Sequence, residues 1–179
     1  ADGFTLFGTD LGVCGIAWGS GGICGVQLPQ GSEQATRQRM HRRFASAAEM
    51  VPPPEVRLAI SGVVALLQGE RVDLSGIALD MTGVPPFHRQ VYELARAIPV
   101  GSTLTYGEVA AQLGEPGAAR AVGQALGANP FAPVVPCHRV LAAGGKAGGF
   151  SATGGIKTKL QLLLIEGATF GEPGLFDGI

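Results

Sequence analysis

Twice in its first half the chain writes valine followed by prolines, as "VPPPE" at 51–55 and as "TGVPPF" at 82–87. Proline fixes φ and pushes the residue before it toward extended backbone, so no helix or strand runs through either place. The first break separates two patterns within one unit. The second stands between a strand-like "GIALDM" and a new helical pattern, and it sets the expected domain junction at Val84. Two domains are therefore expected, 1–84 and 85–179.

Ahead of the first break, residues 4–28 alternate apolar and small residues around two turn signals, "GTD" and "GSGG". That pattern predicts a three-strand antiparallel meander. "EQATRQRMHRRFA" follows, with Arg37, Arg39, Arg42 and Arg43 and no broad apolar stripe, and it reads as an exposed helix with a solvated charged face. Val56, Ala59, Ile60, Val63, Val64 and Leu67 then recur at helical spacing before Gly69. They predict a helix packed on the meander.

Beyond Val84 the patterns are mostly helical. Phe87, Val91, Leu94, Ala95 and Ile98 form one stripe ended by Pro99. Thr105 with Glu108 three positions on is a capping-box signature, and Gly114 closes the short helix it opens. A second short helix, about 116–126, is built almost wholly of small residues and stops at Gly127. Two short helices joined through glycine have the sequence shape of a helix-turn-helix. Ile156, Leu160, Leu163 and Leu164 predict a last core-facing helix ending at Gly167. The expected fold class is α/β: a small N-terminal domain with a three-strand antiparallel sheet and helices, then a mostly helical, winged-helix-like C-terminal domain.

Composition narrows the function classes. The charged fraction is 15%, the formal net charge is −1, and no apolar run approaches the roughly 20 residues of a membrane-spanning helix. The start, "ADGFTLFGTD", lacks the basic stretch and apolar core of a signal peptide, so a cytoplasmic location is expected. Three cysteines without regular spacing argue against a disulfide framework and fit a reducing compartment. From Pro85 onward there are seven Lys or Arg against six Asp or Glu, so bulk charge makes no case for nucleic acid.

"VVPCHRV" at 134–140 is the one stretch dense in chemistry. Cys137 has three readings. It is a small buried hydrophobe, a nucleophile whose thiolate is favoured by the adjacent His138, or a metal ligand. The last needs more ligands at suitable spacing, and Cys14 and Cys24 lie far off among strand residues. No metal is expected. Pro136, His138 and Arg139 in succession suit a turn better than a core strand.

"PVVPCHRV", preceded by "AARAVGQALGANP" and "TYGEVA", resembles the O6-alkylguanine-DNA alkyltransferases, also called methylated-DNA–protein-cysteine methyltransferases. The resemblance covers roughly residues 84–168 and, more weakly, the "TLFGTDLG" start. It implies a DNA-repair protein that moves a methyl or other alkyl group from O6 of guanine, or O4 of thymine, in double-stranded DNA onto its own cysteine, once and with no cofactor. Carried onto this sequence, Cys137 is the acceptor, His138 acts on the thiol through a water, and Glu166 orients His138. Tyr106 and Ser151 are donors toward the leaving guanine, and Asn129 ties the helix pair to the cysteine turn. Leu126, Val140, Phe150 and Ser151 line the alkylguanine pocket.

Ala118, Ala119, Ala121 and Gly123 let the second helix press into the minor groove, while Arg120 fills the gap left by the flipped base. Phe150 stands where many relatives have tyrosine, and "FSATGGIKTK" is about two residues longer than the common form. The protein is expected to work as a monomer. The alternative is a lesion-recognition protein that binds alkylguanine without repairing it; relatives of that type lack the acceptor cysteine, which is present here.

Overall fold

The computed structural model describes residues 1–145 and 155–168, and these divide into two compact units. Ala1–Thr82 with Pro130–Val134 form one, and Gly83–Asn129 with the described residues from Val135 onward form the other.

In the first unit β1 (Gly3–Thr9), β2 (Gly12–Gly19) and β3 (Gly22–Gln27) form the antiparallel meander. Gly12 and Gly22 open the second and third strands at φ of 125° and 117°, a region closed to most side chains. α1 (Glu33–Arg43) starts at Ser32, whose hydroxyl accepts the Ala35 N–H at 3.1 Å. A fourth strand, β4 (Ala48–Glu49), pairs parallel with β1, giving the order β3-β2-β1-β4. Two residues are too few to leave a period in the sequence, which is why three strands were expected. "GIALDM" forms no strand proper. Only Leu79 bridges Ile23, because Asp73 and Asp80 turn the chain at either end by accepting the Ser75 and Thr82 N–H groups.

α1 corrects the reading of a wholly solvated face. Met40 and Thr36 are buried, and the Thr36 hydroxyl donates to the Val13 carbonyl at 3.0 Å. Two inward residues suffice because Gly15 makes room: a Cβ there would stand 2.7 Å from Met40 Cγ. Arg43 is also partly sunk, donating to the carbonyls of Val26 and Pro130 and to Gln27 Oε1. Burial, and then Arg39, push its guanidinium down to about 10. α2 (Pro54–Leu67) begins on proline and buries Val56, Ala59, Val63, Leu66 and Leu67. Gly69 follows at φ 93°.

The second unit opens with α3 (Pro86–Arg96), which buries Val91, Tyr92 and Ala95. β5 (Leu104–Thr105) runs into α4 (Tyr106–Gln112), whose capping box is complete: Glu108 N–H donates to Thr105 Oγ1 at 3.1 Å, and Thr105 N–H to Glu108 Oε1 at 2.9 Å. α5 (Ala119–Gly127) packs on α3 and α4 through Val122, Ala125 and Leu126. A 3-10 turn, Cys137–Arg139, leads into β6 (Val140–Leu141), parallel to β5.

α6 (Ile156–Ile165) turns a different face inward from the one expected. Lys159, Leu160, Leu162 and Leu163 are buried, while Ile156 and Leu164 are 50% and 43% exposed. Leu162 and Leu163 each contribute about 1.5–3 kcal/mol by leaving water, and they carry Lys159 in with them. Among the described residues no helix is long and apolar enough to cross a membrane.

Candidate active site

The cysteine sits where a strand cannot form. Pro136 offers no N–H, and the chain closes instead into the 3-10 turn, with Cys137 N–H on the Val135 carbonyl at 2.8 Å and Arg139 N–H on the Pro136 carbonyl at 2.9 Å. Val135 and Val140 on either side are wholly buried, and Cys137 is only 4% exposed. Burial pushes the thiol's pKa up. Against it work the Asn129 side chain hydrogen-bonded to the sulfur, the Lys159 charge, and the backbone N–H groups of Cys137 and His138. Asn129 also donates Nδ2 to the Val135 carbonyl at 2.9 Å, which holds the end of α5 to the start of the turn.

His138 is fully buried and meets Glu166, the C-cap of α6, at 2.7 Å between Nε2 and Oε2. Arg139 joins the same carboxylate with two bonds, Nε to Oε1 at 2.8 Å and Nη2 to Oε2 at 2.9 Å. Its Nη1 donates to the Ile98 carbonyl at 2.6 Å. Burial acts to raise the Glu166 pKa, but the bonds from His138 and Arg139 hold it down to about 2. The carboxylate is thus ionised and can only accept, so His138 Nε2 must carry the hydrogen it donates. Nδ1 is left as the acceptor, and it has no hydrogen-bond partner among the described residues. Burial, aided by Arg139 and Lys159, pushes the His138 pKa down, so the ring is a neutral base at pH 7.

Tyr106 enters at the first position of α4. Burial, then the Cys137 charge, push its phenol up, and Lys159 Nζ lies 3.5 Å from its oxygen. Of the expected residues, Cys137, His138, Glu166, Asn129 and Tyr106 therefore converge on one place. Arg120 is elsewhere, exposed on α5; Ala118, Ala119, Ala121 and Gly123 are half-buried near it, and Leu126 and Val140 are buried. Phe150 and Ser151 lie outside the described residues.

Three side chains escaped the sequence reading. Arg139 stood in the quoted motif without a task. Lys159 lies three positions after Ile156 on the last helix, but its charge keeps it out of the apolar pattern of 156, 160, 163 and 164. Tyr92 donates its hydroxyl to the Ala125 carbonyl at 2.7 Å and lies close enough to Cys137 for the thiolate's charge to raise its phenol, already raised by burial, to about 12. It lies beside Val91 on the predicted helix but outside the apolar stripe of 87, 91, 94, 95 and 98, so that stripe does not point to it.

Comparison with known proteins agrees with the chemistry of the site. The family described as "6-O-methylguanine DNA methyltransferase, DNA binding domain" matches residues 86–168. The methylated-DNA–protein-cysteine methyltransferase of Methanothermobacter thermautotrophicus is 36% identical over 155 residues, 87% of this chain and 80% of that one. The Salmonella typhimurium protein of the same name is 55% identical over 86 residues, about half of each chain. Among solved structures, Mycobacterium tuberculosis OGT in complex with DNA superposes with a TM-score of 0.72 at 34% identity over 92% of both chains. The O6-methylguanine-DNA methyltransferase of Pyrococcus kodakaraensis gives 0.71 at 29% identity, covering 92% of this chain and 99% of its own. With its small sheet-bearing unit, its helix-turn-helix and its cysteine turn, the chain belongs to the methylated-DNA–protein-cysteine methyltransferase family of DNA-repair alkyl-transfer proteins.

Proposed function

We propose that this chain repairs double-stranded DNA by moving a methyl or other alkyl group from O6 of guanine to its own Cys137, irreversibly and once per molecule. The observation that best supports this is the locked His138–Glu166 pair beside a cysteine 4% exposed, which commits one ring nitrogen and leaves the other for the thiol proton. His138 Nδ1 takes that proton through a water, as in the family's arrangement. Sulfur then attacks the alkyl carbon in line, an S–C bond forms as the C–O6 bond breaks, and the electron pair passes to guanine. Guanine takes up one proton, so the net transfer is alkyl to sulfur and a proton to the base. Tyr106 donates toward the developing negative charge. The thioether product is stable, and no cofactor enters.

A guanine in the duplex cannot reach a buried thiol, so the nucleotide swings out at a cost of about a few kcal/mol. α5 is suited to lie in the minor groove. Arg120 is exposed there, and a Cβ built at Gly123 or Gly127 would meet nothing within 4 Å inside the protein. Internal packing therefore does not call for glycine at either place, whereas close approach of a DNA backbone does. The three cysteines are free, and we place the protein in the reducing cytoplasm.

The test is intact mass spectrometry after incubation with a duplex carrying one O6-methylguanine, followed by peptide mapping. One methyl group per protein, confined to the Cys137 peptide, is the expected result. Tight lesion-selective binding with no mass gain would overturn transfer and leave a lesion-recognition protein.

A further inference from the structure

Between the end of α5 and the cysteine turn the chain leaves the second unit: Pro130–Val134 belong with Ala1–Thr82. Asn129 closes the neck of this loop, its Nδ2 donating to the Val135 carbonyl at 2.9 Å. Phe131, Ala132 and Val134 are buried, and the Val134 N–H donates to the Phe131 carbonyl at 2.8 Å. The Pro130 carbonyl accepts two hydrogen bonds, from the Val26 N–H of β3 at 2.9 Å and from Arg43 Nη2 at 3.3 Å. Arg43 is closely fitted there. Its Nη1 donates to the Val26 carbonyl at 2.9 Å and to Gln27 Oε1 at 3.0 Å, and its guanidinium carbon lies 4.8 Å from the centre of the Phe44 ring. Gly25 makes room for it, since a Cβ there would stand 2.8 Å from Nη2. All three acceptors are neutral oxygens, so these bonds bring no opposite charge to offset the cost of drawing the cation out of water. What a planar fork of donors does here, and an apolar side chain cannot, is fix the distance between Val26 and Pro130.

We propose that Arg43 is a positioning residue for alkyl transfer: by pinning Pro130 to β3 it fixes the loop from which the cysteine turn starts, a role that rests on the alkyl-transfer reading above. The restraint reaches the sulfur by two short routes. One runs along the buried chain, from Val134 to Val135, whose carbonyl accepts the Cys137 N–H at 2.8 Å. The other runs through Asn129, one peptide bond before Pro130, whose side chain bonds both the Val135 carbonyl and the Cys137 sulfur. A displaced Pro130 therefore disturbs the turn and its hydrogen-bond donor together. In-line attack tolerates little of this, because a misplacement of about 1 Å can cost about 100-fold in rate.

Arg43→Met and Arg43→Lys test the role, with Thr36→Val as a control. The control removes buried hydroxyl bonds of the same helix, to the Val13 carbonyl and from the Gln30 N–H, without touching the loop. Single-turnover methyl transfer from an O6-methylguanine duplex is followed over a range of DNA concentrations, at a urea-checked folded fraction near one. In Arg43→Met the saturating rate falls about tenfold or more while the half-saturating DNA concentration stays within about twofold. Lysine, which keeps a donor for Pro130, recovers part of the rate, and Thr36→Val keeps the parental rate. A second readout needs no DNA: hydrogen exchange in the peptide 134–140, where the Cys137 and Arg139 amides exchange faster in Arg43→Met than in the parent or in Thr36→Val. If Arg43→Met does not fold, the lysine variant decides, with a smaller loss of rate and protection expected. Parental rate and exchange in a folded Arg43 variant would overturn the role, and so would an equal slowing in Thr36→Val, which would trace the effect to general destabilisation. Faster exchange at the turn in a protein that never accepts methyl from DNA would instead sink the transfer reading and leave the hold of Arg43 on the loop standing.

Discussion

Replacing Glu166 by glutamine removes the anion on which His138 and Arg139 converge. The Glu166 pKa falls from an ordinary 4.5 to about 2 in the folded protein. At about 1.4 kcal/mol per pH unit that difference is worth roughly 3 kcal/mol. A carboxylate with a depressed folded pKa gives its full contribution above 4.5 and loses it as pH falls toward 2. His138 acts in the same direction from higher pH: its folded pKa lies below 6.5, so the unfolded chain takes up that proton first as pH drops. The parent should therefore weaken gently below pH 6.5 and steeply below 4.5.

Glu166→Gln leaves Arg139 buried with no counter-charge, so at pH 7 it should lose about 3–5 kcal/mol. It should also lose the steep acid limb, and the gap to the parent should close toward pH 2.5. Urea midpoints at a series of pH values check this, followed by the near-ultraviolet dichroism of the tyrosines; both, Tyr92 and Tyr106, sit in the second unit. A gap that stays constant from pH 7 to 2.5 would refute an ionic origin and assign the loss to packing.

Tyr92→Phe removes the hydroxyl donor to the Ala125 carbonyl, which keeps the Ala128 N–H at 3.2 Å, so thermal unfolding should show a loss of about 0.5–1.5 kcal/mol, with slower methyl transfer because α5 is held less firmly. Gly25→Ala places a Cβ 2.6 Å from Phe44 Cζ, 2.8 Å from Arg43 Nη2 and 3.3 Å from the Pro130 carbonyl; urea unfolding should register a loss of about 1–3 kcal/mol, whereas Gly8→Ala, with nothing within 4 Å, should be nearly silent.

What the sequence reveals depends on how far apart the interacting parts lie. The meander, the capping box and the glycine stops are local, so Gly12, Thr105 with Glu108, and Gly167 are legible one turn at a time. β4 is legible only through its partner, since Ala48–Glu49 has no pattern of its own and owes its strand character to β1. Arg139 belongs to the same difficulty. Beside His138 it marks a turn, and its task is set by a carboxylate 27 positions away. The helical period of α6 was visible, but its phase was not: Ile156 and Leu164 look like better core residues than Lys159 until Tyr106 and Val140 give the lysine its place.

That placement also changes how the second half of the chain meets DNA. Its count of seven Lys or Arg already barely exceeds the six Asp or Glu, yet Arg139 and Lys159 are buried and face carboxylate, phenol and backbone. Cations held inside cannot neutralise phosphates, so among the described residues Arg89, Arg120 and Lys157 are the exposed cations of this half. Each phosphate neutralised adds about 0.9 to the salt slope on duplex DNA, and so few outward cations make a shallow one. Affinity then depends more on contacts that carry no net charge. The same two buried cations that weaken the electrostatic grip on any DNA hold Glu166 ionised and favour the Cys137 thiolate. The positive charge of this unit is thus turned inward, toward Glu166 and Cys137, in preference to the surface.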